Sequence, residues 1–251
     1  KYPKASVWIS PGQYGPLGSC GRTLERCNMG YRVDGILGDD DGDASSSPPP
    51  WANEFDIATL YVNLPQNAGP VSEVAFCHRP SKTLIATDAV VYIPSSASEI
   101  FSTYFDKETV TEPSFWPKTV LQAVFLPLRV EKDGSDYYYP GYEALRDRLV
   151  RAPILRAFAD ARAPREVNRW VEQIGNWDFD RILTSHFASP IAATPRDFVA
   201  AYGYLRSPAQ LGDLPPIACK DWELLESLNK VIATNKLGAP TVFDYQKGCR
   251  D

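Results

Sequence analysis

Apolar positions follow two rhythms along this chain, and the change from one to the other divides it. In the first third, apolar and polar residues alternate. Ala5-Ser-Val-Trp-Ile-Ser10 reads as a short strand closed by Pro11-Gly12, and Pro50 to Val62 reads as another. Next comes an apolar strand around Val74-Ala-Phe-Cys77, a four-residue turn at Arg79 to Lys82, and a second apolar strand, Leu84-Ile-Ala-Thr, that runs into Asp88. This is a hairpin that carries a carboxylate to the end of a buried strand.

From Ser95 the helical spacing takes over. Ser98 to Phe105, Thr119 to Phe125 and Tyr142 to Ala159 are expected helices, the last kinked or split by Pro153. Pro164 to Ile174 places Val167, Trp170, Val171 and Ile174 on one face behind an N-terminal proline. One more strand, ending at His186, is inserted between helices. Thr194-Pro195-Arg-Asp197 is then a helix start, with Thr194 as N-cap and an acid three residues on. Asp221 is expected to cap the last helix, whose face is Leu224, Leu225, Leu228, Val231 and Ile232 and which Gly238 ends. Strands early, helices late and one strand between helices predict an α/β layer protein, read as a single domain over residues 1–251.

Composition narrows the function classes. A net charge of −5 without any Lys/Arg cluster lacks the phosphate-binding term of a nucleic-acid partner. No apolar run approaches the roughly 18 residues of a membrane-spanning helix. The five cysteines, Cys20, Cys27, Cys77, Cys219 and Cys249, form no Cys-x-x-Cys, so free thiols are expected, with a Cys20–Cys27 bridge as the alternative. With no Asn-x-Ser/Thr sequon either, an intracellular or organellar compartment is favoured. The acidic run at Asp39 to Asp43 fails as a calcium loop, because Leu37 and Pro48 stand where oxygen ligands are required, and it reads as a solvated loop. Phosphate-cradling glycine loops and the Gly-x-Ser-x-Gly nucleophile elbow are both absent from the sequence.

The candidate chemistry is therefore sparse. Asp88 and His186 sit at strand ends and are first-row metal-ligand types; each reads equally as structural, the acid capping a turn and the histidine hydrogen-bonded in a core. His78, the other histidine, follows an apolar strand at a turn and reads as structural. Cys77 and His78, adjacent in a strand, face opposite ways and make no thiolate–imidazole pair. Asp178 and Asp180 share one side of an extended segment and read as solvent-facing. The Tyr137-Tyr138-Tyr139 triplet cannot point wholly inward, so part of it is a candidate interface.

Five motifs in one order, spread over nearly the whole chain, carry a resemblance. They are Ala5 to Gln13, Pro50-Trp-Ala-Asn-Glu54, the hairpin Glu73 to Asp88, Phe179-Asp-Arg-Ile-Leu-Thr-Ser-His186-Phe-Ala-Ser-Pro190, and Asp197-Phe198. The chain resembles an uncharacterised family of plants, algae and cyanobacteria with a metallo-β-lactamase-like core. The resemblance implies an αββα sandwich, present as its C-terminal portion or a reduced version, since longer members have an N-terminal section with a histidine-containing loop. It also implies Asp88 as the bridging acid and His186 as the last metal-binding histidine, with zinc or iron as the ion. The His-x-His-x-Asp-His cluster of the active hydrolases does not occur in these 251 residues. The expectation is accordingly a non-catalytic scaffold or accessory subunit of a larger plastid assembly, without a cofactor, whose protein partner can bring it to a membrane surface. The alternative is a metal-dependent hydrolase whose remaining ligands lie upstream of residue 1.

Overall fold

The computed structural model describes residues 5–10, 34–38, 48–62, 71–205, 217–235, 238, 240–242, 244, 246 and 249. The glycine- and proline-rich stretch after Pro11, the acidic run Asp39 to Asp43 and the proposed Cys20–Cys27 bridge lie outside them.

The strands are β1 (Trp8–Ile9), β2 (Gly35–Ile36), β3 (Phe55–Val62), β4 (Val71–His78), β5 (Thr83–Ile85), β6 (Val91–Ile93), β7 (Glu131–Asp133), β8 (Asp136–Tyr138), β9 (Arg148–Val150), β10 (Arg181–Leu183) and β11 (Ile191–Ala192). The α-helices are α1 (Lys107–Thr111), α2 (Phe115–Ala123), α3 (Pro140–Glu143), α4 (Pro153–Leu155), α5 (Pro164–Gly175), α6 (Pro195–Ala200) and α7 (Glu223–Thr234). The main sheet runs β11-β10-β5-β4-β3; β3, β4 and β5 form an antiparallel meander, and β10 lies parallel to β5. The fold is mixed α/β, as the order of the two rhythms predicts.

Alternation in β3 and β4 sends Ala58, Leu60, Val62, Ala75 and Cys77 to one face, where α5 lays down Val167, Trp170, Val171 and Ile174. Burying side chains of this size is worth about 1.5–3 kcal/mol each. The Trp170 indole also donates to the Ala58 carbonyl at 3.2 Å, fixing the helix on the strand. α6 begins in the predicted way: the Asp197 carboxylate accepts from the Thr194 backbone N–H at 2.7 Å as the second half of a capping box. A second core gathers Val91, Ile93, Trp116, Leu121, Leu145, Trp222 and Leu225 around the β6–β9 pair.

Three local expectations are corrected. Tyr142 to Ala159 is no single helix: α3 stops after one turn, Asp147 takes a positive φ of 56°, and β9 pairs with β6 before Pro153 starts α4. Aspartate is among the few residues that accept this left-handed conformation, so the chain can reverse there. Asp221 does not cap the last helix, which begins behind Trp222; its buried carboxylate instead takes a two-pronged ion pair from Arg129 at 2.7 and 2.9 Å. Cys219 and Cys249 are joined in a disulfide, against the expectation of free thiols, while Cys77 is free and buried.

Candidate functional site

β5 and β10 are parallel neighbours, so their C-terminal ends lie side by side at one edge of the sheet. The chain continues past β5 into Thr87-Asp88 and past β10 into Ser185-His186. Two backbone bonds stitch these extensions together, Ala86 N–H to Leu183 O at 3.0 Å and Ser185 N–H to Thr87 O at 3.2 Å. The result brings the two candidate residues together: His186 Nε2 lies 3.0 Å from Asp88 Oδ1.

A buried polar network holds the Asp88 turn from behind. Glu73 stands on the inward parity of β4, beside Ala75 and Cys77, and its carboxylate accepts the Thr87 N–H at 2.7 Å and the Asp88 N–H at 3.3 Å. Burial pushes the Glu73 carboxyl above its ordinary range, against the pull of those amides and of Arg151. Arg151 donates to the Asp88 carbonyl at 2.9 Å and the Ala89 carbonyl at 3.2 Å, and forks onto Asp160 at 2.9 and 3.0 Å. Tyr202 donates to the Ala89 carbonyl at 2.5 Å, and Tyr204 donates to Asp160. Burial alone would lower the Arg151 pKa, but the Asp160 charge and hydrogen bonds hold it well above its usual value. The side chains of Arg151 and Asp160 are 2% and 0% exposed, so each is the other's main compensation for leaving water.

The histidine side is built differently. Thr184 donates toward the carbonyls of His186 at 3.1 Å and Ala188 at 3.3 Å, and its own N–H is accepted by Ser189 Oγ at 3.2 Å. Between them Phe187 adopts φ 61°, a conformation that costs a non-glycine residue about 1–2 kcal/mol. Its ring is then edge-on to Trp116, centroids 6.0 Å apart, and the Trp116 indole donates to the Pro94 carbonyl at 2.7 Å.

Asp88, His186, Phe187 and Trp116 line a cavity of about 970 Å³, shared with the 94–101 segment, α2 and α4. Val91, Trp116, Val124 and Ala152 form buried walls, while the side chains of Asp88 and His186, 41% and 60% exposed, stand where the cavity meets solvent.

The other candidates lie elsewhere. His78 is at the opposite end of the sheet, bonded through Nδ1 to Ser81 at 2.7 Å and packed on Phe55, in line with a structural role. Asp178 pairs with Lys82 and Asp180 with Arg181 at the surface. Of the tyrosine triplet, Tyr137 is exposed and Tyr139 buried. Sequence reasoning passed over Glu73, Arg151 and Asp160. For Glu73 the signal was present, an acid on the same parity as the inward Ala75 and Cys77.

Asp88 and His186 are donor types that zinc or iron accepts, but among the described residues no group of three His, Cys, Asp or Glu side chains is placed to hold an ion. The described donor set therefore does not make a metal centre. Among the described residues no helix is long and apolar enough to cross a membrane.

Fold and site together define an α/β domain with a carboxylate–imidazole pair at adjacent strand ends, beside an apolar cavity. Residues 1–125 and 134–204 match the model of a family described as Domain of unknown function (DUF4336), and the chain belongs to that family. No curated protein and no solved structure matches the chain.

Proposed function

We propose that the domain works by binding rather than by turnover, as a non-catalytic accessory domain built on a metallo-β-lactamase-like αββα fold. The observation that carries this is the pairing of Asp88 with His186 at 3.0 Å on the solvent edge of an apolar cavity. Two ligand-type atoms are spent on each other, no third donor of the described residues joins them, and water reaches both. A catalytic pair would gain from a dry, preorganised site, which this edge does not supply. The parallel β5–β10 arrangement, with both residues just past the strand ends, supports the metallo-β-lactamase-like reading of the fold. Exposed Ile100, Tyr104, Phe105, Leu128 and Val130 support a protein partner, and the family resemblance supports a plastid assembly as its setting.

A second reading, the metal-dependent hydrolase, is favoured by how firmly the buried Glu73–Arg151–Asp160 network positions the Asp88 turn; its further ligands would come from segments beyond those described. Elemental analysis of the purified chain, with a panel of ester and phosphodiester substrates, separates the two. The binding reading expects trace metal and no turnover. One or two zinc or iron ions per chain, lost in Asp88→Ala together with hydrolysis, would overturn it.

A further inference from the structure

The cavity beside Asp88 and His186 has a chemical polarity that selects its ligand, an argument that rests on reading it as a binding site. Its volume, about 970 Å³, is at the upper end of the roughly 300–1,000 Å³ of small-molecule pockets. The inner walls are Val91, Trp116, Val124 and Ala152, all buried, and the one indole N–H among them is already given to Pro94. Thr119, on the same helix as Trp116, already donates its hydroxyl to the Phe115 carbonyl at 2.8 Å, so a polar group pushed to that end would lose its water for little in exchange. The inner half therefore takes hydrocarbon.

The ionisable lining groups are at the solvent-exposed part of the cavity, where the side chains of Asp88 and His186 are 41% and 60% exposed and Glu99 is exposed. Asp88, Glu99 and His186 line the cavity there, with the hydroxyls of Ser96 and Ser98, and no Lys or Arg is among the lining residues. Two carboxylates, with no Lys or Arg on the lining, disfavour an anionic head and accept hydrogen bonds from a donor head. Ile100, on the same rim and 60% exposed, continues the apolar surface outward.

We propose that the cavity holds an amphiphile with a hydrocarbon tail and a hydrogen-bond-donating head without negative charge, a long-chain alcohol or amine rather than a fatty acid or phospholipid-type anion. The tail lies against Trp116 and Val124, and the head sits at Asp88, Glu99 and His186.

The test uses the full chain and displacement of the neutral dye Nile red by decan-1-ol, decylamine and decanoate. Decanol and decylamine are expected to displace the dye at concentrations about tenfold or more below decanoate, the scale of one like-charge contact in partly screened surroundings. In Asp88→Asn the decanoate penalty is expected to shrink several-fold. Decanoate displacing as well as decanol would overturn the head-group assignment and leave the cavity as a binding site. Ala97→Trp and Ala188→Trp, both on the lining, are expected to abolish dye binding with the circular dichroism spectrum unchanged. Nile red failing to bind the wild-type chain, or binding equally to both filled variants, would overturn the cavity reading itself.

Discussion

The Arg151–Asp160 pair offers the sharpest test of how the candidate site is held. Arg151→Met keeps most of the apolar stem but removes the two prongs on Asp160 and the bonds to the Asp88 and Ala89 carbonyls. Asp160, with no exposure, loses its two-pronged partner and keeps only the Tyr204 hydroxyl and the weaker through-space attraction of the buried Arg156. Removing one partner of such a pair costs about 3–5 kcal/mol. At roughly 2–4 °C of Tm per kcal/mol for a domain of this size, the loss is roughly 6–20 °C. Arg151→Met/Asp160→Leu should recover much of it, because neither charge then remains buried, although the ties to the Asp88 turn stay lost. The assay is urea unfolding of the wild type, Arg151→Met, Asp160→Leu and the double variant as a double-mutant cycle, with hydrogen exchange at the Thr87 and Asp88 amides. Faster exchange there in both Arg151 variants, with stability recovered only in the double variant, is the expected result. A single-variant loss below about 1 kcal/mol, or a double variant as unstable as Arg151→Met, would show that the pair does not compensate its own burial.

Glu73 predicts a pH dependence. Its pKa is raised by burial above the ordinary 4.5, so its contribution to stability is fully present below that value and is lost as pH rises through the folded pKa. The urea midpoint of the wild type relative to Glu73→Gln should therefore fall as pH rises from the ordinary carboxylate range toward neutrality; a difference that grew with pH would contradict the assignment. At Phe187, where φ is 61°, Phe187→Gly should be more stable than Phe187→Ala by about 1 kcal/mol despite its smaller side chain, as thermal melts would show. Burial pushes the Cys77 thiol up to about 11, so at neutral pH iodoacetamide should leave Cys77 unmodified in the folded chain and label it in urea, read by peptide mass mapping.

Much of the sheet was legible from the alternation at Phe55 to Val62 and Val71 to His78, because a half-buried strand writes its parity into the sequence. The Thr194 start was equally legible, since capping is settled within a single turn. The middle of the chain was not. Between Tyr142 and Ala159 local periodicity favours helix, yet Arg148–Val150 gains a strand partner in β6 and Arg151 gains a buried acid, and neither contact is visible within the segment. Asp88 and His186 were joined in one site only through the family resemblance, not from the residues themselves, because their meeting depends on β10 docking parallel to β5. Asp221 misled for the reverse reason: its local role as a cap was outcompeted by a distant arginine.

Parallel docking of β10 against β5 also decides when the site can exist. The meander of β3, β4 and β5 closes locally in the chain, but the strand that brings His186 follows α5, about a hundred residues after β5. A nascent chain, or one clipped between the two strands, can carry the Asp88 turn and still present no imidazole beside it. The Asp88–His186 pair thus exists only in a chain that has both strands in place, so its formation marks the completed sheet.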